Sequence, residues 1–146
     1  MFGFINGINL AFHEGGHAIF GVLRIPFVTV LGGTLMQLAL PAAAFFHFYS
    51  RKPNFAGALM LLWFGQNFLG IGNYMQDAMV QQLPLIGDGT HDWTYLFDAL
   101  GITRFCVGIG GFTKFAGWVI MAISMVWIIT AGISKIQEER ALRRSL

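Results

Sequence analysis

The run "NLAFHEGGHAIF", Asn9 to Phe20, sets two histidines and a glutamate in an otherwise apolar stretch. His13-Glu14-Gly15-Gly16-His17 fits H-E-x-x-H. On a helix, positions i and i+4 share a face, so both imidazoles can bind one metal ion. Glu14 projects about 100° away from His13, at 3.6 residues per turn. It can therefore hold a water beside the ion without taking a coordination position. Zinc brings the pKa of such a water toward neutrality, and a carboxylate completes the deprotonation. A carboxylate in hydrocarbon is costly, and a cation with a wet cavity offsets that cost. The expected chemistry is hydrolysis at a zinc centre, with Glu14 catalytic and His13 and His17 as metal ligands.

The neighbouring polar residues fit a hydrated face. Asn6, Asn9, His13 and His17 follow helical spacing, and Arg24 extends the line. Such asparagines line water or orient imidazoles. A catalytic zinc takes three protein ligands, so a third is expected beyond Phe20. Asp77 is one candidate: with Gln66, Gly70 and Asn73 it forms a polar stripe at i, i+4, i+7 and i+11. In "HDW", His91 or Asp92 can fold back onto the site. Asp92 also suits the N-cap of a helix starting near Trp93, a task His91 does not have. Asp88 lies in "QQLPLIGDG", where Asp-Gly is equally a turn dipeptide. Asp98 reads as a solvated face. The same histidines admit two other readings, a hydrogen-bonded packing network and axial ligation of a haem or chlorin pigment.

These residues need a scaffold, and the composition indicates its class. Of 146 residues, 55% are hydrophobic and 11% charged, against about 25% charged in a soluble domain. From Met1 to Leu23 the only charge is Glu14. There is none in 25–50, 53–76 or 115–134. Four such stretches of bilayer length predict membrane helices. The expected fold is all-α, a multi-pass membrane helical bundle with about four transmembrane helices plus one short amphipathic helix. It forms a single integral membrane domain, 1–146. Core helices are expected over 2–24, 34–50 and 55–80, an amphipathic helix over 93–100, a last span over 114–136 and a charged tail over 137–146. Pro41 should kink the second helix. "RIPFVTVLGGT" is expected as a short hairpin or re-entrant turn, and "GIGGF" as a turn. An edge strand around Phe27 to Leu31 would offer pairing to an extended substrate.

Charge bias sets orientation. Arg51, Lys52, Lys135, Arg140, Arg143 and Arg144 fall on the starting side. Arg24, Arg104 and Lys114 fall opposite, diluted by Asp77, Asp88, Asp92 and Asp98. Both termini are then expected in the cytoplasm. His47 beside "FYSRK" reads as interfacial, and the arginines of the tail as an anionic-lipid contact. The N-terminus lacks a basic n-region and a small-x-small cleavage site and is read as mature sequence. The lone Cys106 excludes an internal disulfide and a cysteine-based metal knuckle. A net charge of +2 gives no case for a nucleic-acid partner. The expected partners are the lipid bilayer and a membrane-protein substrate or partner subunits.

HEGGH, "GGTLMQLALP" and "QNFLGIGNYMQDA…LPLIGDGTHDW" together resemble the membrane-embedded zinc metalloproteases of the site-2 protease type. The resemblance covers about Phe4 to Trp93. It implies that His13 and His17 bind Zn2+, that Glu14 is the base, and that an aspartate is the third ligand. The family's third motif carries Asn and Pro before Asp-Gly. Here Pro84, Asp88 and Gly89 echo it, while Gln81 stands where asparagine is expected. The "YMQDA" and "HDW" pair looks more like a divergent bacterial branch of H-E-x-x-H proteins. In that branch Asp77 and His91 would be the polar groups nearest the metal, ahead of Asp88. The resemblance implies an intramembrane zinc endopeptidase. The alternatives are a non-catalytic protease-like scaffold subunit of a larger membrane complex, or a His-ligated cofactor subunit.

Overall fold

The computed structural model describes residues 3–51, 55–85 and 90–145. Among them the chain is all-helical, with no strand. Helix α1 spans Gly3–Gly21, α2 Pro26–Ser50, α3 Phe55–Asp77, α4 Asp92–Leu100 and α5 Cys106–Ser145, with a 3-10 turn at Thr103–Phe105. Among the described residues, three segments are long and apolar enough to cross a membrane: Pro26–Ser50, Phe55–Asp77 and Thr103–Lys135. Helix α1 is not among them. Its Asn6, Asn9, His13, Glu14 and His17 dilute its apolar content.

Two of the expected turns are helical. "RIPFVTVLGG" forms the first part of α2, which starts at Pro26 rather than near Thr34. Proline suits the first helical turn, where its missing N–H leaves no bond unmade. No edge strand exists at Phe27 to Leu31; those residues lie in α2. The reversal from α1 to α2 is made at Arg24, whose φ of 54° puts it in the left-handed region. Arg24 is exposed and outside α1, so it does not extend the polar stripe.

"GIGGF" also continues as helix, inside α5. Helix propensity alone disfavours glycine there. Packing overrides it, because α5 lies so close to α3 that Gly110 meets the Gly72 carbonyl and Gly117 the Gly65 carbonyl. The charged tail is the end of this same helix. Its 40 residues extend about 60 Å at 1.5 Å each, roughly twice a hydrocarbon core. The charged end must therefore lie outside one.

Helix α4 is amphipathic in the sense expected. Trp93, Leu96 and Phe97 are buried against Ile71, Met75, Ala78 and Cys106. This cluster fastens α4 to the end of α3. It thereby fixes the N-terminus of α4 beneath the α1–α2 pair.

Candidate metal centre

The site begins with a close helix crossing. A Cβ on Gly16 would strike the Gly32 carbonyl and stand 2.8 Å from the Gly33 Cα. The second variable position of HEGGH is thus a contact point between backbones, as small residues allow in apolar helix pairs. One step along, Gly33 faces the two imidazoles. A Cβ there would lie 2.7 Å from His17 Nε2 and 2.8 Å from His13 Nε2. The missing methyl leaves a cradle between both ring nitrogens.

Both imidazoles have fixed hydrogen-bond partners. His17 Nδ1–H donates to the Thr29 carbonyl at 3.0 Å. That bond places a proton on Nδ1, and Nε2 faces Asp92. The His13 and His17 rings stand edge to face, 4.7 Å between centroids. One oxygen, Asp92 Oδ2, lies 2.7 Å from His13 Nε2 and 3.2 Å from His17 Nε2. Glu14 completes the group: one ligand atom each from His13, Glu14 and His17 lie within 4.8 Å of one another. At such separations one water can bridge the carboxylate to a shared point.

The carboxylate facing the histidines is therefore Asp92, and the cap of α4 is its neighbour. His91 is the N-cap, its Nδ1 accepting from the Thr94 N–H at 3.2 Å. The expected assignments of this pair are exchanged. The physical reason is one residue of register: capping by His91 turns Asp92 about 100° around the helix, into the cavity. The Asp92 N–H donates to the Tyr74 hydroxyl at 3.2 Å. Tyr74 in turn lies against the His91 ring, 4.2 Å between centroids.

Asp77 does not face His13 and His17. Its two oxygens accept from the Gln82 N–H at 2.9 Å and the Leu83 N–H at 3.0 Å. It ties down the loop that follows α3. Its Oδ2 also approaches His91 Nε2 at 3.5 Å. Asp77 and His91 thus form a buried pair behind Asp92. Burial pushes the His91 imidazole below its ordinary pKa, against the opposing pull of Asp77. The neutral form is also the one its capping bond needs. Asp88 lies outside the described residues.

The stripes of α1 and α3 do meet. Asn9 Nδ2 donates to Gln66 Oε1 at 3.0 Å, and Gln66 Nε2 donates to Asn6 Oδ1 at 3.2 Å. Trp63 Nε1 donates to Asn9 Oδ1 at 2.8 Å. Asn73 turns away and accepts from Lys114 on α5 at 3.2 Å. Two residues passed over in the sequence join this network. Gln37 Nε2 donates to the fully buried Asn67 at 2.9 Å. Their signal was an amide four residues beyond Gly33 and another beside Gln66. A cavity of about 650 Å³ runs past Asn6, Asn9, Gln37 and Gln66 and past His13, Glu14, His17 and Asp92.

Compared with known proteins, the chain matches no family model, no curated protein and no solved structure. The fit of an ion rests on the donor set alone. Asp92 Oδ2 is shared between the two rings, 2.7 Å from His13 Nε2 and 3.2 Å from His17 Nε2. Two imidazoles and one carboxylate, converging beside a missing methyl, form the N/N/O set that zinc accepts with one position open.

Proposed function

We propose that this protein is a zinc-dependent endopeptidase that works in or beside a lipid bilayer. The observation that carries the reading is the convergence of His13 Nε2, His17 Nε2 and Asp92 Oδ2, with Glu14 at their side. His13, His17 and Asp92 would hold the ion. Bound there, zinc supplies Lewis acidity toward a peptide carbonyl and an acidified water.

The chain's own residues do the rest. Thr29 holds the His17 ring through Nδ1, which fixes where Nε2 points. Glu14 takes the proton of the attacking water and passes it to the leaving amine. Helix α4, anchored by Trp93, Leu96 and Phe97, holds Asp92 in place. The resemblance to proteases of the site-2 type supports the same assignment, since an aspartate is the third ligand there. A substrate among membrane proteins is in keeping with three helices suited to a bilayer. We infer a multi-pass arrangement with both termini cytoplasmic, from the charge bias.

The test is Glu14→Gln in the full chain, purified in detergent. Wild type and variant should each retain about one zinc. Cleavage of a quenched-fluorescence peptide library by wild type should fall by a factor of about 10² to 10⁴ in the variant, the range for losing a general base. Wild-type protein without stoichiometric zinc would overturn the reading. Zinc retained without cleavage, and cells indifferent to Glu14→Gln, would leave a scaffold in its place.

A further inference from the structure

An extended peptide inside an apolar protein must have its backbone N–H and C=O groups satisfied. An exposed edge strand can do this by pairing with the peptide. Among the described residues there is no strand at all. The cavity offers side-chain amides instead. Asn6, Gln37 and Gln66 line it together with His13 and Glu14, and each comes from a different helix of the α1–α2–α3 core.

These amides are oriented and only part-used. Gln66 is fixed by Asn9 at one end and Asn6 at the other. Gln37 spends its Nε2 on Asn67. Among the described residues nothing engages Gln37 Oε1 or Asn6 Nδ2. One N–H of Gln66 Nε2 also remains. A primary amide carries two donors and an acceptor with two lone pairs. The track therefore holds spare acceptors for peptide N–H groups and spare donors for peptide C=O groups, the alternation an extended backbone presents.

Its length is set by α1. Asn6 precedes His13 by seven positions, about 10 Å along a helix. That equals about three residues of extended chain at roughly 3.3 Å each. Asn6 lies at the exposed end, where a segment can enter.

We propose that Asn6, Gln37 and Gln66 form a backbone-recognition track for about three unwound residues of the substrate, on one side of the metal centre. The proposal rests on the zinc-peptidase reading above. Recognition through amides and not through side-chain pockets makes the substrate class an unwound segment selected by conformation more than by sequence.

Two zinc-chelating probes separate the proposal from the reading beneath it. Acetohydroxamate touches only the ion, whereas a tripeptidyl hydroxamate also fills the track. Binding of each is measured to zinc-loaded full chain in detergent. Asn6→Leu and Gln37→Met should each weaken the tripeptidyl probe about tenfold, the effect of one lost hydrogen bond. Acetohydroxamate binding should not change, which also shows that the variants are folded. Lengthening the peptide past three residues should add no further sensitivity to Asn6→Leu. Unchanged tripeptidyl binding in both variants, with acetohydroxamate still bound, would overturn the track and leave the zinc reading standing. Turnover lost while tripeptidyl binding persists would make the amides a water path and overturn it equally. Failure of wild type to bind acetohydroxamate would sink the zinc reading itself.

Discussion

The α1–α2 crossing and the α3–α5 interface use one device for two ends. Both bring helices together on glycines. At α3–α5 the glycines meet backbone carbonyls and aliphatic carbon: Gly72 faces Gly110, and Gly65 faces Gly117, Ile120 and Met121. At α1–α2, Gly16 meets the Gly32 carbonyl and Gly32 meets the Phe20 side chain. Gly33 faces nitrogen instead, at His13 and His17. A methyl missing at α3–α5 lets two backbones approach. A methyl missing at Gly33 leaves room for something between two imidazoles. The first interface is filled by packing, and the second leaves a cradle between two imidazole nitrogens.

Substitutions that treat the two alike should separate them. The largest effect is expected at Asp92→Ala, which removes one of the three proposed ligands. Zinc affinity should fall by more than about a hundredfold, the upper end of losses for outer partners. Competition with a zinc chelator measures it. Gly33→Ala should approach the same loss with all three ligands present, because the methyl would occupy the cradle. Retention of wild-type affinity in Gly33→Ala would break the comparison. Gly72→Ala should do the reverse. Its Cβ would lie 2.6 Å from the Gly110 carbonyl, and overpacking of this kind costs about 1–3 kcal/mol. Thermal stability in detergent should drop while zinc affinity holds.

Asp77 tests how far the site extends behind its ligands. Asp77→Ala removes the acceptor of two loop N–H groups and the partner of His91. Losing an outer partner lowers metal affinity by about 10–100-fold. The expected result is a loss near the lower end of that range, since Asp77 acts on Asp92 only through His91 and the loop. A loss as large as that of Asp92→Ala would mean that Asp77 is itself a ligand.

The sequence made one half of this comparison legible and hid the other. HEGGH and the asparagines repeat along one helix, so their shared face follows from 3.6 residues per turn. The all-helical class followed from charge-free stretches of bilayer length. The roles of His91 and Asp92 did not follow. Both precede an apolar helix, aspartate is the commoner cap, and a change of one residue decides which side chain enters the cavity. "GIGGF" and "VLGG" misled for a related reason. Glycine reads locally as a turn, while here Gly110, Gly32 and Gly33 are helical because a partner helix lies against them. Local chemistry cannot report a contact made 38 positions away, as Gly72 and Gly110 make.

The smallest expected effect concerns the cap that sets that register. His91 Nδ1 accepts the Thr94 N–H, so the helix start needs a neutral ring. His91→Ala should cost about 1 kcal/mol, typical of a lost N-cap, and the misplaced Asp92 should weaken zinc binding as well. His91→Asn keeps an acceptor and should recover both. The two also differ in acid. Burial holds the folded His91 below its ordinary pKa, so below about 6.5 the unfolded chain takes up a proton that the folded chain resists. This contribution to stability is full above that value and falls as the pH drops toward the depressed folded one. Thermal melts from pH 7.5 to 5 should show wild type losing more stability than His91→Asn. Equal losses would mean that the capping ring accepts a proton in place, and that something other than the cap turns Asp92 toward the histidines.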